Sequence, residues 1–304
     1  MAQPLIANDL SATYPARRRP RVGHINFMNC LPLLWGLART GSLIDLDLTR
    51  DAPDGLNNAL TTGHLDISPI SLVEFLRHAD DLVALPRIAI GCDGPVMSCL
   101  IVSKVPLNQL DGERVALGSV SRTSVMLARL LFSEVVGIEP SYIVCPQDLE
   151  LMMSQARAAV VIGDVALRAL LYDAPARGLD VYDLGQMWHD LTGMPFVFAL
   201  FAVRKDYLAS EPAVVRAVHT GLLASRDLAL AEVHEVCEHA CRWEPFEPEA
   251  LKQYYTTALD FGLSDRHLRG IKEFARRAGA GPSGFAPDVR FPILQLLQFN
   301  RRPT

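Results

Sequence analysis

Short apolar runs in this chain alternate with segments whose apolar positions recur every three to four residues. The first kind reads as buried strand and the second as amphipathic helix. Strands are predicted at residues 22–27, 44–49 and 65–68, with helices at 31–38, 53–61 and 70–78 between and after them. Pro32 suits the first turn of its helix. Residues 82–90 and 96–103 are apolar and β-rich. A turn at 110–112 leads to a strand at 114–117 and an amphipathic helix at 123–136, whose inner face carries Val125, Ala128, Leu131, Phe132, Val135 and Val136. Strands at 142–145 and 158–162, a helix at 165–171 and a long apolar strand at 196–203 follow. Beyond Lys205 the pattern is helical, with one long helix at 212–241 and two more at 251–257 and 265–277.

Two βαβα blocks followed by helices define an α/β protein with parallel-rich sheets. The strands near 96–103 and 196–203 bracket the second block. One plan is a lobe that begins, yields to an inserted second lobe, and is completed by the C-terminal helices. Its two crossings would form a hinge with a ligand cleft between the lobes. Two consecutive domains, or one doubly wound sheet, are the competing plans.

Composition narrows the function. The 304 residues are 50% hydrophobic and 21% charged, ample for a core and unlike a disordered chain. Lys and Arg total 29 against 34 Asp and Glu, a net charge of −5, so there is no basic bias toward nucleic acid. No apolar run reaches membrane-spanning length. Residues 1–20 read as a loose tail. Arg17, Arg18 and Arg19 resemble a signal n-region, but the stretch after them is too polar for an export signal, which predicts a cytoplasmic protein. The six cysteines form no C-x-x-C pair and read as reduced, buried thiols. His234, Cys237 and Cys241 share a helix face, with His239 nearby, but lie too close in sequence to close a structural zinc site. No metal or cofactor is expected.

Candidate chemistry gathers where strands end and helices begin, the usual place for ligands in α/β sheets. Asn29 follows the first strand, as a helix cap, a ligand contact or both. Ser68 and Ser71 stand before another helix with the same two readings. Ser98 lies inside an apolar strand and needs a hydrogen-bond partner; no G-x-S-x-G surrounds it, which excludes a nucleophile elbow. Ser119, Ser121, Thr123 and Ser124 crowd one helix start, where free N–H groups and the dipole favour an anion. Capping needs one hydroxyl rather than four. With no Walker lysine and no G-x-G-x-x-G, a carboxylate suits the site better than a nucleotide phosphate. Gly163 would let a ligand approach the backbone, and Asp164 reads as a cap or contact. Adjacent His189 and Asp190 suggest a dyad, yet neighbours in sequence rarely orient each other so.

The runs Gly23 to Leu33 (GHINFMNCLPL), Asp66 to Ser71 (DISPIS), Gly94 to Ser98 (GPVMS) and Trp188 to Ala199 (WHDLTGMPFVFA) resemble the chorismate dehydratase family of the futalosine route to menaquinone. The resemblance covers about residues 20–205, by motif order and spacing. It implies a two-lobed fold like type II periplasmic binding proteins, with two hinge crossings and a central cleft. Lobe one would comprise residues 21–105 and 200–304, and lobe two residues 106–199. It implies a carbon–oxygen lyase that takes chorismate to 3-[(1-carboxyvinyl)oxy]benzoate and water, with Asn29 and Ser98 as the functional Asn and Ser. Substrate contacts are then expected from Ser68, Ser71, Ser119, Ser121, Thr123, Ser124, Gly163 and Asp164. No His, Glu or Lys in these motifs is an evident base, so the substrate's own enolpyruvyl carboxylate is the expected proton acceptor. A small-carboxylate binding protein and the related 1,4-dihydroxy-6-naphthoate synthase are the alternatives.

Overall fold

A computed structural model describes residues 18–279; most of the expected tail and the end of lobe one lie outside that range. Among the described residues, ten strands form two five-stranded sheets. The first contains β1 (Arg21–Ile25), β2 (Asp47–Asp51), β3 (Ile67–Ser71), β4 (Leu82–Cys92) and, from much later in the chain, Phe196–Arg204. The second contains β5 (Cys99–Ser103), β6 (Arg114–Gly118), β7 (Ser141–Cys145), β8 (Ala158–Ile162) and β9 (Asp180–Asp183). The late strand of the first sheet is therefore β10. The helices up to the second crossing are α1 (Leu31–Arg39), α2 (Pro53–Thr61), α3 (Leu72–Arg77), α4 (Thr123–Leu131), α5 (Leu149–Gln155), α6 (Gly163–Arg168), α7 (Ala174–Arg177) and α8 (Leu184–Thr192). Those after β10 are α9 (Lys205–Ser210), α10 (Pro212–Ala231), α11 (Val233–Ala240), α12 (Pro248–Gln253) and α13 (Asp265–Gly279).

The sheets repeat one plan. In the order β2-β1-β3-β10-β4, β1 is parallel to β2 and β3, and β10 runs antiparallel to β3 and β4. In the order β7-β6-β8-β5-β9, β6 is parallel to its neighbours, and β5 runs antiparallel to β8 and β9. The sheets are thus mixed rather than parallel-rich. Each crossing delivers a strand from the other sheet, entering against the direction of the βαβ strands. The first crossing spans residues 93–98 and the second 193–195. Because β5 already belongs to the second sheet, the change of sheet comes before residue 105, where the sequence reading placed it.

Several local expectations shift. The third strand runs two to three residues later than predicted and includes Pro69, beyond its Val22↔Ile67 pairing with β1. The helix predicted at 123–136 closes as a π-turn, Phe132–Val136, capped by left-handed Gly137. The long C-terminal helix breaks at Glu232, whose carboxylate accepts the Trp35 indole N–H at 2.8 Å. β9, α5 and α8 had no predicted counterpart. Residues 18–20, read as tail, lead straight into β1, and Arg18 and Arg21 pair with buried Asp66 at 2.8 and 2.7 Å. That pairing holds the Asp66 carboxyl at about 2, despite its burial.

One apolar cluster runs from Val22 and Leu33 in the first lobe through Leu127, Leu131 and Phe132 on α4 to Trp188, Phe196 and Phe274. A second lies on the far face of the second sheet, around Leu100, Met152 and Val161. Buried side chains therefore bridge the two sheets. Among the described residues, no helix is long and apolar enough to cross a membrane.

Candidate active site

Four strand-to-helix junctions converge on one narrow cavity of about 60 Å³ between the sheets. They are β1 into α1, β3 into α3, β6 into α4 and β8 into α6, and they bring Asn29, Ser71, Ser121, Thr123, Ser124 and Gly163 to its wall. Ser98 joins them from the first crossing. The cavity thus sits beyond the carboxyl ends of the inner parallel strands of both sheets.

The polar residues expected to cap these helices do not cap them. The cap position falls elsewhere: on Cys30 for α1, Arg122 for α4 and Ile162 for α6, none with a side-chain capping bond. Asn29 stands one residue earlier, in a 3₁₀ turn, and its Oδ1 is buried without a hydrogen-bond partner. A buried amide oxygen left so is costly and marks a place where a ligand donor belongs. Ser71 does occupy the cap position of α3, but its hydroxyl accepts from Asn57 Nδ2 at 3.2 Å, and its N–H donates to Asn57 Oδ1 at 2.9 Å.

The hydroxyls at the start of α4 have separate fates. Ser119 is exposed and outside the cavity. Thr123 Oγ1 accepts the Val73 N–H at 3.2 Å, tying α4 to α3 across the cleft. Ser124 Oγ donates to Cys99 Sγ at 3.4 Å. Ser121 lines the cavity with its hydroxyl unbonded among the described residues, next to the first N–H groups of α4. Arg122 is the charged residue in the wall; it reaches Asp54 on α2 at 2.5 Å and Glu74 on α3 at 3.3 Å. The geometry offers one open hydroxyl beside a helix N-terminus, a suitable combination for a carboxylate, while the Arg122 charge is taken up by Asp54 and Glu74.

Ser98 is placed by a strained turn. Met97, just before it, has φ of 62°, a left-handed conformation that a long side chain rarely adopts. Asp183 holds it there: its carboxylate accepts the N–H groups of Val96, Met97, Gly185 and Gln186 at 2.7–3.1 Å. Ser98 Oγ has only a long contact of 3.4 Å to Val96 O, and its carbonyl accepts the Gly163 N–H at 2.8 Å. Gly163 itself has φ of 60°, and a Cβ there would lie 2.8 Å from the Phe27 ring. The Cys99 thiol in the wall is pushed up to about 12 by burial, so it is a neutral thiol and no nucleophile.

Two predicted contacts stand apart from the cavity besides Ser119. Ser68 is fully buried, donates to Pro69 O at 2.9 Å and packs against Gly23. Asp164 lies behind the wall, where its Oδ1 accepts the Met28 N–H from the other lobe at 2.8 Å. Burial raises its carboxyl to about 6, against the pull of that N–H. His189 and Asp190 form no dyad: His189 Nδ1 lies 3.0 Å from Asp93 Oδ1, and Asp190 accepts from Gln186 Nε2 at 2.6 Å. Asn57 was not singled out from sequence, although a polar residue beside Leu56 and Leu60 on the buried face of α2 is a readable signal. Among the described residues, no group of three or more His, Cys, Asp or Glu is arranged to hold a metal ion.

Comparison with known proteins gives the site its context. The chain is 32% identical over 239 residues to a chorismate dehydratase of Thermus thermophilus, covering 75% of this chain and 84% of that protein. It is 27% identical over 206 residues to a 1,4-dihydroxy-6-naphthoate synthase of the same organism, covering 66% and 70%. Among solved structures, the periplasmic aliphatic sulphonate binding protein SsuA of Escherichia coli superposes with a TM-score of 0.62 at 16% identity, over 92% of this chain and 93% of that one. That likeness concerns the fold alone and establishes the periplasmic-binding-protein-like architecture expected from the sequence. A family model described as menaquinone biosynthesis matches residues 20–280, and the chain belongs to that family.

Proposed function

We propose that the protein is a cytoplasmic chorismate dehydratase, a hydro-lyase that converts chorismate to 3-[(1-carboxyvinyl)oxy]benzoate and water. The observation that carries this reading is the unpartnered, buried Oδ1 of Asn29, facing a cavity shared with Ser98 and the uncapped start of α4. The T. thermophilus dehydratase, similar over most of its length, supports it.

The reaction breaks C3–H and C4–O and leaves an aromatic ring. The C3 proton is acidic because its carbanion delocalises toward the ring carboxylate. Ser121 and the first N–H groups of α4 bind that carboxylate and stabilise the charge as it develops. Asn29 and Ser98 orient the C4 hydroxyl and assist its departure. Among the described residues, no His, Lys or carboxylate lines the cavity. The enolpyruvyl carboxylate of the substrate therefore takes the C3 proton and passes that same proton to the departing C4 hydroxide, which leaves as water while the carboxylate returns to its ionised form. Hydrogen and hydroxyl depart from one face, which suits this stepwise path.

Incubation with chorismate and mass analysis tests the reading: loss of one water is expected, and unchanged chorismate refutes it. The same assay excludes the naphthoate synthase reading, suggested by the second relative, and a plain binding role. Asn29→Ala should slow turnover by about 10²–10⁴-fold, and Asn29→Asp at least as much, because it adds negative charge beside an anionic substrate. A chorismate analogue without the enolpyruvyl carboxylate should not eliminate water; comparable turnover would require a protein base.

A further inference from the structure

Two tyrosine hydroxyls from the C-terminal region end in the protein interior without a hydrogen-bond partner. Tyr254 and Tyr255 begin the π-turn Tyr254–Ala258 after α12, are each 1% exposed, and have rings 5.5 Å apart. An unpaired buried hydroxyl costs stability that phenylalanine would not. Their surroundings differ. The Tyr254 hydroxyl stands within weak hydrogen-bonding reach of the Ser98 hydroxyl, too loosely to count as bonded, with Cys99 of the cavity wall, Asp164 behind it and Tyr255 nearby. The groups acting on Tyr255 are Cys237, Cys241, Cys30 and Asp164, on the helical side.

We propose that Tyr254 is a positioning residue for Ser98: when substrate is bound, its hydroxyl donates to Ser98 Oγ and turns the Ser98 proton toward the departing C4 hydroxyl. This rests on the dehydratase reading. Three features support it. Ser98 lies 2% exposed, with a strained residue before it and only the 3.4 Å contact to Val96 O for its own proton. That proton is easily redirected, because a hydroxyl has one donor and two lone pairs and rotates to suit its neighbours. Burial drives the Tyr254 phenol far above its ordinary range, so it stays protonated and can only strengthen as a donor when Ser98 Oγ gives up its proton's density. A phenol in this place polarises Ser98 without titrating itself.

The experiment compares Tyr254→Phe, Tyr255→Phe, Ser98→Ala and the Tyr254→Phe/Ser98→Ala double variant, by kcat and KM for chorismate and by thermal midpoint. Tyr254→Phe should melt at or above wild type, since the hydroxyl has no partner in the empty protein. Its kcat should fall about tenfold or more, the effect of one transition-state hydrogen bond, while KM changes little. In the Ser98→Ala background the same change should have almost no further effect. Tyr255→Phe should match wild-type turnover. A Tyr254→Phe enzyme with wild-type kcat overturns the proposal, as does an undiminished loss in the Ser98→Ala background. A midpoint well below wild type would show the hydroxyl already bonded at rest, and would overturn it too. Wild-type protein that leaves chorismate intact refutes the functional reading, and this proposal with it.

Discussion

Replacing the four hydroxyls at the start of α4 one at a time should produce four different phenotypes. Ser121→Ala removes the one hydroxyl that faces the cavity unbonded. A hydrogen bond to a charged group contributes about 1.5–3 kcal/mol, so chorismate should bind roughly ten- to a hundredfold more weakly. Thermal stability should hold, because nothing in the protein depends on that hydroxyl. Thr123→Val does the opposite. It strips the Val73 N–H, on a residue 1% exposed, of its acceptor at 3.2 Å. An orphaned buried N–H costs about 1–3 kcal/mol, so the midpoint should drop, and Thr123→Ser should restore it. Ser119→Ala lies on an exposed position and should change stability by no more than about 0.5 kcal/mol, with affinity untouched. Ser124→Ala loses only a weak contact to sulfur and should fall between. Steady-state kinetics with chorismate and melting curves on the same preparations separate the cases. Equal affinity losses for Ser119→Ala and Ser121→Ala would refute the assignment, and so would an unchanged KM for Ser121→Ala.

Asp164 links stability to pH. Its carboxyl stands at about 6 in the fold against an ordinary value of 3.8. Between about pH 4 and 6 the unfolded chain loses its proton first, so stability falls as pH rises, by about 3 kcal/mol in total, and stays low above that range. Asp164→Asn keeps an oxygen for the Met28 N–H and should flatten this fall, melting higher than wild type near neutral pH and alike near pH 4; parallel curves would rule it out. Gly163→Ala forces a left-handed alanine against the Phe27 ring 2.8 Å away. It should cost on the order of 1–3 kcal/mol and raise KM for chorismate by displacing Phe27; a fully stable, fully active variant would show that the loop yields freely.

The motif-bearing segments were legible because their chemistry is local. A polar residue stranded after an apolar strand marks a junction, and Asn29, Ser71 and Ser121 were found that way, while Gly163 was found as a glycine that lets a ligand approach the backbone. Their relation to the helices was not legible, since whether a side chain caps depends on the residue at which the helix turns. β5 was assigned to the wrong lobe because an apolar run carries no label for its sheet. Its partners β8 and β9 lie 55 and more residues further on. Asp183 hid for a related reason. It caps α8, a helix the sequence reading did not place, accepting from Gly185 and Gln186. Its second task, holding Val96 and Met97 in place before Ser98, exists only in three dimensions. Tyr254 sat in a helical tail with no motif around it, and only its unpaired hydroxyl behind Ser98 draws attention to it.

The place of β10 bears on how the chain reaches its native state. β10 lies between β3 and β4, and those two strands are joined only through it. The second sheet is built wholly from residues 99–183, so its strands are all available well before β10 is made. The first sheet cannot close until residue 204 is available, and its late strand must find partners more than a hundred residues earlier. During synthesis the inserted lobe can therefore form while the lobe that begins the chain still has a gap at its centre. A ribosome-bound chain halted when residue 195 has just emerged from the exit tunnel should protect the amide hydrogens of β6 and β8 from exchange and leave those of β4 open.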